Sequence, residues 1–401
     1  MSKLLLGYYG DDFTGSTDAL EALTLAGVPA VLFTRPPTAA DLSKYPHVRA
    51  IGIAGQSRSM NIDDADRELR PAFECLRDTG AGIVHHKVCS TFDSSPTIGN
   101  VGRVMELGLK VFGEKIVPVV VGAPDLGRHC AFGNLFARFG NGEERFRLDR
   151  HPSISKHPVT PMTEADLRWH LNLQTLLPVG LLDVLQLDRP NAELISKYEA
   201  VCHDTGEGAV LIDLVTHAQL DAVGTLLIAG GRRFVVGSSG VESALCAAWL
   251  RDGVISKPPA LPPPGEVGPI IAVCGSCSPV TAAQIEFARE SDFAEVVLGP
   301  QALATGAVNS AIANAVALIT HALENGRSVV LHTEAGHRVE HTSAEDNRLG
   351  ESLGHALRLT LERTPAKRVV IAGGDTSGHI ARALNITALE LISPLTRARR
   401  S

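Results

Sequence analysis

At 401 residues the chain is too long for one typical core and suits about two domains of roughly 100–250 residues. A hydrophobic fraction of 44% with 20% charged residues excludes long disorder. A net charge of −7 and an aromatic content of 4% argue against nucleic-acid binding, which calls for basic surface and stacking platforms.

From the N-terminus, short apolar runs alternate with amphipathic stretches. Strands are predicted at 4–9, 30–34, 50–54, 83–87, 117–121, 181–187, 209–214 and 234–237. Helices are predicted between them at 17–26, 63–77, 99–111, 164–176, 192–203, 218–228 and 242–250. This alternation predicts α/β layers on a largely parallel sheet. Residues 131–148 differ: two strand-like runs flank Gly140-Asn141-Gly142, a hairpin signal and so an antiparallel insertion.

The stretch Lys257-Pro258-Pro259-Ala260-Leu261-Pro262-Pro263-Pro264-Gly265 continues neither a helix nor a central strand and reads as a semi-rigid connector. It divides the chain into an N-terminal domain (1–256), a linker (257–268) and a C-terminal domain (269–401). The second domain begins a new alternation. Its strands are expected at 270–274, 295–298, 329–332 and 368–372, and its helices at 280–289, 309–323, 352–362 and 379–384.

Candidate sites follow predicted strands, where parallel sheets bind ligands. Gly10-Asp11-Asp12-Phe13-Thr14-Gly15 carries two carboxylates able to act as base or to hold a hydroxyl or metal. Helix capping by Thr14, Ser16 or Asp18 is the competing account. The turn from Lys87 through Ser90, Thr91 and Asp93 to Asn100 gathers a cation, a carboxylate, hydroxyls and an amide. That mix suits a polyhydroxylated acid. A serine-rich helix entry is its alternative. Arg128, after the strand at 117–121, could pair with a substrate carboxylate or stand alone at the surface. In the second domain Gly275-Ser276-Cys277-Ser278-Pro279 and Gly373-Gly374-Asp375-Thr376-Ser377-Gly378 both join a strand to a helix. Such turns can cradle phosphates, and Asp375 could hold Mg²⁺.

Other patterns are refused. Cys274 and Cys277 lack a second pair at zinc-finger spacing. His337-Arg338-Val339-Glu340-His341 needs a helix its polar surroundings do not predict. His85 and His86 fall in a strand and are not read as metal ligands, and no metal centre is assigned apart from the Mg²⁺ that would accompany bound phosphates. There is no P-loop and no dinucleotide fingerprint. No run reaches the ~20 apolar residues of a membrane helix. Seven scattered cysteines read as reduced thiols of a cytoplasmic protein.

In their order, Asp11-Asp12-Phe13-Thr14-Gly15-Ser16-Thr17-Asp18, Lys87 with Ser90-Thr91-Phe92-Asp93-Ser94, Gly275-Ser276-Cys277-Ser278 and Gly373-Gly374-Asp375-Thr376-Ser377-Gly378 resemble the bacterial four-carbon acid sugar kinase family. The resemblance spans nearly the whole chain. It implies two Rossmann-like domains, an acid sugar bound by the first and ATP by the second, with the active site in the interdomain cleft. Members phosphorylate the terminal hydroxyl of threonate, erythronate, oxo-tetronates or branched acids such as oxo-isoapionate. The segment Ile53-Ala54-Gly55-Gln56-Ser57-Arg58-Ser59 resembles the branched-acid subgroup.

By the resemblance, Asp11, Asp12, Lys87, Ser90, Thr91, Asp93, Asn100 and Arg128 fall at the acid-sugar site. Ser276, Ser278 and Gly373, Gly374, Asp375, Thr376, Ser377 and Gly378 fall at the nucleotide. Asp12 is expected as the base, with Asp11 and Asp93 as the other candidates, Lys87 and Arg128 as carboxylate anchors, and ATP with Mg²⁺ as donor. No nucleic-acid or membrane partner is expected, and a homodimer is open. Family members usually continue past the strand at 388–392 with a Pro-Gly segment and a glycine-containing strand near the nucleotide. This sequence ends at Ser401 instead, which leaves a rival reading as a non-catalytic acid-sugar binder with an incomplete ATP site.

Overall fold

A computed structural model describes residues 3–394 apart from 141, 232, 259, 264, 266, 276–278, 300–306 and 334–342. Residues 1–263 together with 388–401 form one unit and residues 264–387 a second. The first unit is built on β1 (Leu6–Gly10), buried at every position as expected of a strand covered on both faces.

The elements that follow are α1 (Phe13–Ala26), β2 (Ala30–Phe33), α2 (Ala39–Leu42), β3 (Ala50–Ala54), α3 (Ile62–Asp78), β4 (Ile83–Lys87), α4 (Val101–Phe112) and β5 (Ile116–Val120). A three-stranded antiparallel sheet comes next: β6 (Arg128–Ala131), β7 (Asn134–Arg138) and β8 (Arg145–Arg147). Then come α5 (Leu167–Asn172), β9 (Val179–Leu182), α6 (Asn191–Thr205), β10 (Gly208–Ile212), α7 (Leu220–Ala229), β11 (Phe234–Gly237) and α8 (Gly240–Arg251).

The large sheet runs β2-β3-β1-β4-β11-β5-β10-β9, all parallel. One face packs α3, α4 and α5 around Phe73, Met105 and Leu171, and the other packs α1, α6, α7 and α8 around Leu23, Tyr198 and Leu245. The α3 helix shows the local logic. Its buried residues Ala65, Leu69, Ala72, Phe73 and Leu76 recur at helical spacing, and Asn61 caps its start by accepting from the Asp64 N–H.

The second unit holds β12 (Ile271–Cys274), α9 (Pro279–Glu290), β13 (Ala294–Val297), α10 (Val308–Glu324), β14 (Val329–His332), α11 (Ser343–Leu361), β15 (Val369–Ala372) and α12 (Gly374–Ala383). Its sheet is parallel in the order β13-β14-β12-β15. Consecutive strands β13 and β14 lie on one side of β12 and β15 on the other, so the order reverses between β12 and β15.

Three expectations differ from the structure. The helix expected at 164–176 shrinks to α5, and the strand expected at 181–187 shifts to β9 followed by a short 3-10 turn. Leu173, Leu176 and Leu185 gave those windows apolar weight, yet all three are exposed. The chain after Thr387 was assigned to the second domain. Its short strand β16 (Ala388–Leu389) instead pairs antiparallel with β2 at the edge of the first unit's sheet. A strand of that length carries no periodicity to read.

Candidate active site

Ala54, Gly10, Lys87, Gly237 and Val120 are register partners across neighbouring strands, so β3, β1, β4, β11 and β5 end in one row. The loops leaving this row carry the candidate residues. Asp11 and Asp12 continue from β1. Asp12 is the N-cap of α1, its Oδ1 accepting from the Gly15 N–H at 2.7 Å. Arg58, in the short turn after β3, bridges the two carboxylates. Its Nη2 and Nε reach Asp11 Oδ1 and Oδ2 at 2.9 and 3.3 Å, and its Nη1 reaches Asp12 Oδ2 at 2.9 Å. Burial pushes the Asp11 carboxyl above its ordinary value even against the Arg58 charge. The Arg58 guanidinium is itself held protonated, because Asp11 outweighs the cost of its burial.

Lys87, at the end of β4, is buried with Nζ 3.5 Å from Asp18 Oδ2, and Ser239 at the start of α8 donates to the same Asp18 carboxylate. Burial works against the lysine's charge, but Asp18, Glu242 and Asp11 outweigh it and raise its pKa. The two preceding histidines are both buried. His86 stacks on Tyr9, and burial beside His85 lowers it to about 3.

Beyond Lys87, the Cys89 Sγ lies 2.9 Å from Thr91 Oγ1, which donates to Asp93 Oδ1 at 2.8 Å. Burial, helped by Asp93, pushes the Cys89 thiol up to about 11. Ser90 is half-buried in the same turn. Phe92 holds this turn in the left-handed region at φ 56° with its ring wholly buried. Ser94 is committed to the framework, bonded to His170 Nε2 and Gln174 Nε2 at 2.9 and 3.0 Å.

Asn100, expected at the substrate, is the N-cap of α4. Its Oδ1 accepts from the Arg103 N–H at 2.7 Å and its Nδ2 donates to Pro96 O at 2.9 Å, so the helix entry engages both ends of its buried amide.

Arg128 opens β6. Its Nη1 donates to Leu126 O at 3.1 Å, while its Nε is buried with no hydrogen-bond partner among the described residues. Burial lowers its pKa, and both Cys89 and Asp93 are near enough to act on it. Among the described residues no carboxylate lies within ion-pair distance of this cation. An anionic ligand would supply that partner.

Reading along the sequence missed Arg58 as a site residue, together with Asp18, Ser239 and Glu242. Arg58 did carry a signal, because it sits in a polar loop directly after a strand, the rule that selected the other turns. Glu242, in the first turn of α8, reaches His85 across 157 positions and had none.

In the second unit, Cys274 and Ala372 are register partners, so Gly275 and Gly373 leave neighbouring strands side by side, where the strand order reverses. A Cβ on Gly275 would lie 2.2 Å from Thr376 Oγ1, so only glycine lets the two turns approach this closely. The run from Gly373 was expected as a loop wrapping phosphates. The structure makes it the opening turn of α12, with Gly373 at φ 111° and the Ser377 N–H donating to Gly373 O at 3.0 Å. The N–H groups of Gly374, Asp375 and Thr376 therefore lack intrahelical acceptors and suit a phosphate. Ser276 and Ser278 lie outside the described residues, as do His337 and His341. The Asp375 side chain is likewise outside them.

Comparison with known proteins places a domain break in the same proline-rich region, with the second match running on past Ala388. A family described as the sugar-binding N-terminal domain matches residues 6–245, and one described as the nucleotide-binding C-terminal domain matches residues 271–397. The chain is 42% identical to a 3-oxo-isoapionate kinase of Paraburkholderia graminis, over 98% of this chain and 86% of that protein. It is 31% identical to a 3-oxo-tetronate kinase of Methylobacterium radiotolerans, over 97% and 90%. Among solved structures, a Salmonella typhimurium protein described as a putative tRNA synthase superposes with TM-score 0.79 at 23% identity, over 98% of this chain and 91% of that one. A Haemophilus influenzae protein assigned to a domain of unknown function superposes with TM-score 0.72 at 23% identity, over 95% and 89%. These two likenesses speak for the fold alone. Nothing in the comparisons supports the non-catalytic alternative. With both domains matched in order and kinases as its relatives over nearly its full length, the chain belongs to the four-carbon acid sugar kinase family and is a phosphotransferase acting on a sugar-acid hydroxyl.

Proposed function

We propose that this kinase transfers the γ-phosphoryl group of ATP to the terminal hydroxyl of a branched oxo acid of the 3-oxo-isoapionate type, in the cytoplasm where ATP is available. The observation that carries the substrate is the 42% identity over 98% of the chain to a 3-oxo-isoapionate kinase, against 31% for a 3-oxo-tetronate kinase. Arg128, which has no carboxylate partner among the described residues, and Lys87 anchor the acid's carboxylate. Ser90, Thr91 and Asp93 face its hydroxyls. Asp12 orients the acceptor hydroxyl and takes its proton, with Asp93 as the second candidate.

Both Asp12 oxygens are engaged at rest, one by the Gly15 N–H and one by Arg58. In acting as base, Asp12 exchanges its Arg58 contact for the hydroxyl proton, and the guanidinium remains beside Asp11. The N–H groups opening α12, beside Gly275, hold the phosphate chain. Asp375 is the residue proposed to hold Mg²⁺, which when bound neutralises phosphate charge. Phosphoryl transfer needs positioning and charge neutralisation more than covalent help from the protein.

The test is Mg²⁺-dependent ADP release across 3-oxo-isoapionate, 3-oxo-tetronates, threonate and erythronate. The highest kcat/KM is expected with 3-oxo-isoapionate. Preference for an unbranched acid would overturn the substrate assignment.

A further inference from the structure

Beneath the row of strand ends lies a buried pair that the proposed chemistry does not use. Side chains alternate along β4, so His85 and Lys87 both face the layer of α1 and α8, while His86 packs on Tyr9 and Phe73 opposite. His85 Nδ1 lies 3.0 Å from Glu242 Oε1, and His85 Nε2 lies 3.0 Å from Gly237 O. Both side chains are 0% exposed. A backbone carbonyl only accepts, so Nε2 carries a proton, and the contact between ring nitrogen and carboxyl needs a second one. The pair is therefore either imidazolium with carboxylate or imidazole with carboxylic acid. Burial favours the acid, but His85 and Lys87 outweigh it and hold the Glu242 carboxyl below its ordinary value.

The connections close into a ring around Lys87. Gly237 is the register partner of Lys87. Ser239, two residues on, holds Asp18, and Asp18 holds the lysine. Glu242 Oε2 is buried without a hydrogen-bond partner among the described residues. The titratable groups acting on Lys87 are Asp18 from α1, Asp11 from the turn before it, Glu242 from α8 and Cys89 from the turn after β4. Tyr8 on β1 feels Glu242 and Asp18 as well.

We propose that the buried His85–Glu242 pair is a positioning element for acid-sugar binding: it pins the Gly237–Ser239 turn, and with it the Ser239–Asp18 contact that holds Lys87 in place for the substrate's carboxylate. The inference rests on the reading of Lys87 as a carboxylate anchor. The sign of the effect follows from the charges. Removing the Glu242 carboxylate leaves burial less opposed, so Lys87 loses its proton at lower pH.

The experiment compares Glu242→Gln, Glu242→Asp and Lys87→Met in the full chain. In Glu242→Gln the KM for the acid should rise about tenfold at neutral pH, the scale of one charge-assisted contact. It should rise further toward alkaline pH, where the unsubstituted enzyme stays flat, with the nucleotide Kd unchanged. Glu242→Asp, which keeps the charge, should restore the flat profile. An ¹⁵N NMR titration of the Lys87 side chain without substrate should show its pKa lowered in Glu242→Gln. If that variant does not fold, His85→Leu, which removes the contacts to both Gly237 and Glu242 and so frees the turn, should raise KM for the same acid. A Lys87→Met variant with unchanged KM would remove Lys87 as the anchor. If Lys87→Met raises KM while the Glu242 and His85 variants keep the original KM, pH profile and Lys87 titration, the pair is packing alone and the inference is overturned.

Discussion

Replacing Arg58 by Met deletes the guanidinium that spans Asp11 and Asp12. The Asp11 side chain is 6% exposed, Arg58 26% and Asp12 22%. Breaking a buried ion pair by removing one partner costs ~3–5 kcal/mol, and the partial exposure of Arg58 and Asp12 places this case at the lower end, ~3 kcal/mol. For a unit of this size that corresponds to a melting temperature lowered by about 5 °C. Both tryptophans, Trp169 and Trp249, lie in the first unit, so fluorescence follows that unit's unfolding alone.

The loss carries a pH signature. Burial holds Asp11 above its ordinary value with Arg58 present, and without the cation it rises further. A carboxyl whose folded pKa exceeds its unfolded one binds more protons when folded, so stability falls as pH climbs from the unfolded value, ~3.9, through the folded one. The Arg58→Met deficit should therefore be small in acid, where Asp11 is protonated in both states, and largest near neutrality. Melts at several pH values check this. A deficit under about 1 kcal/mol at neutral pH, or one that does not change with pH, would refute the claim that Arg58 holds a buried Asp11 carboxylate.

Asp12→Asn keeps a good helix cap but removes the base, so kcat should fall by about 10²–10⁴-fold while calorimetry finds the nucleotide Kd unchanged. Gly275→Ala puts a Cβ 2.2 Å from Thr376 Oγ1. Equilibrium titration should show weaker nucleotide binding, with the tryptophan-reported unfolding of the first unit unaltered. Asn100→Ala removes a buried cap and should cost about 1–2 kcal/mol of stability in denaturant unfolding, with the KM for the acid unchanged. A large rise in KM without loss of stability would return Asn100 to the substrate.

The candidate residues were legible because their signals are local. Asp11, Asp12, Lys87, Asp93 and Arg128 stand within a few residues of strand ends, and an alternating α/β pattern places such ends at a binding edge. Asn100 is ambiguous for a local reason too, since an amide before a helix serves equally as ligand or cap, and only the tertiary structure shows its contacts to Arg103 N–H and Pro96 O. Arg58 stands in a polar loop after β3, but its partners Asp11 and Asp12 lie 46–47 positions away, joined to it by the adjacency of β1 and β3, so the sequence shows the loop and not the pairing.

The sequence by itself determined what short-range physics determines: the alternation of strands and helices, the antiparallel insertion near Gly140, the proline-rich break, and which turns after strands carry charged and hydroxyl side chains. Periodicity, turn chemistry and proline's missing N–H act over a few residues and can be read in a line. Tertiary structure decided what depends on which strands become neighbours. The order β3-β1-β4-β11-β5 brings Arg58 to Asp11 and Glu242 to His85. The pairing of β12 with β15 sets Gly275 against Thr376, and the open edge at β2 takes Ala388–Leu389 away from the second unit. Charge pairing in a buried site is a property of that adjacency, because low dielectric makes each partner's ionisation depend on a residue distant in the chain.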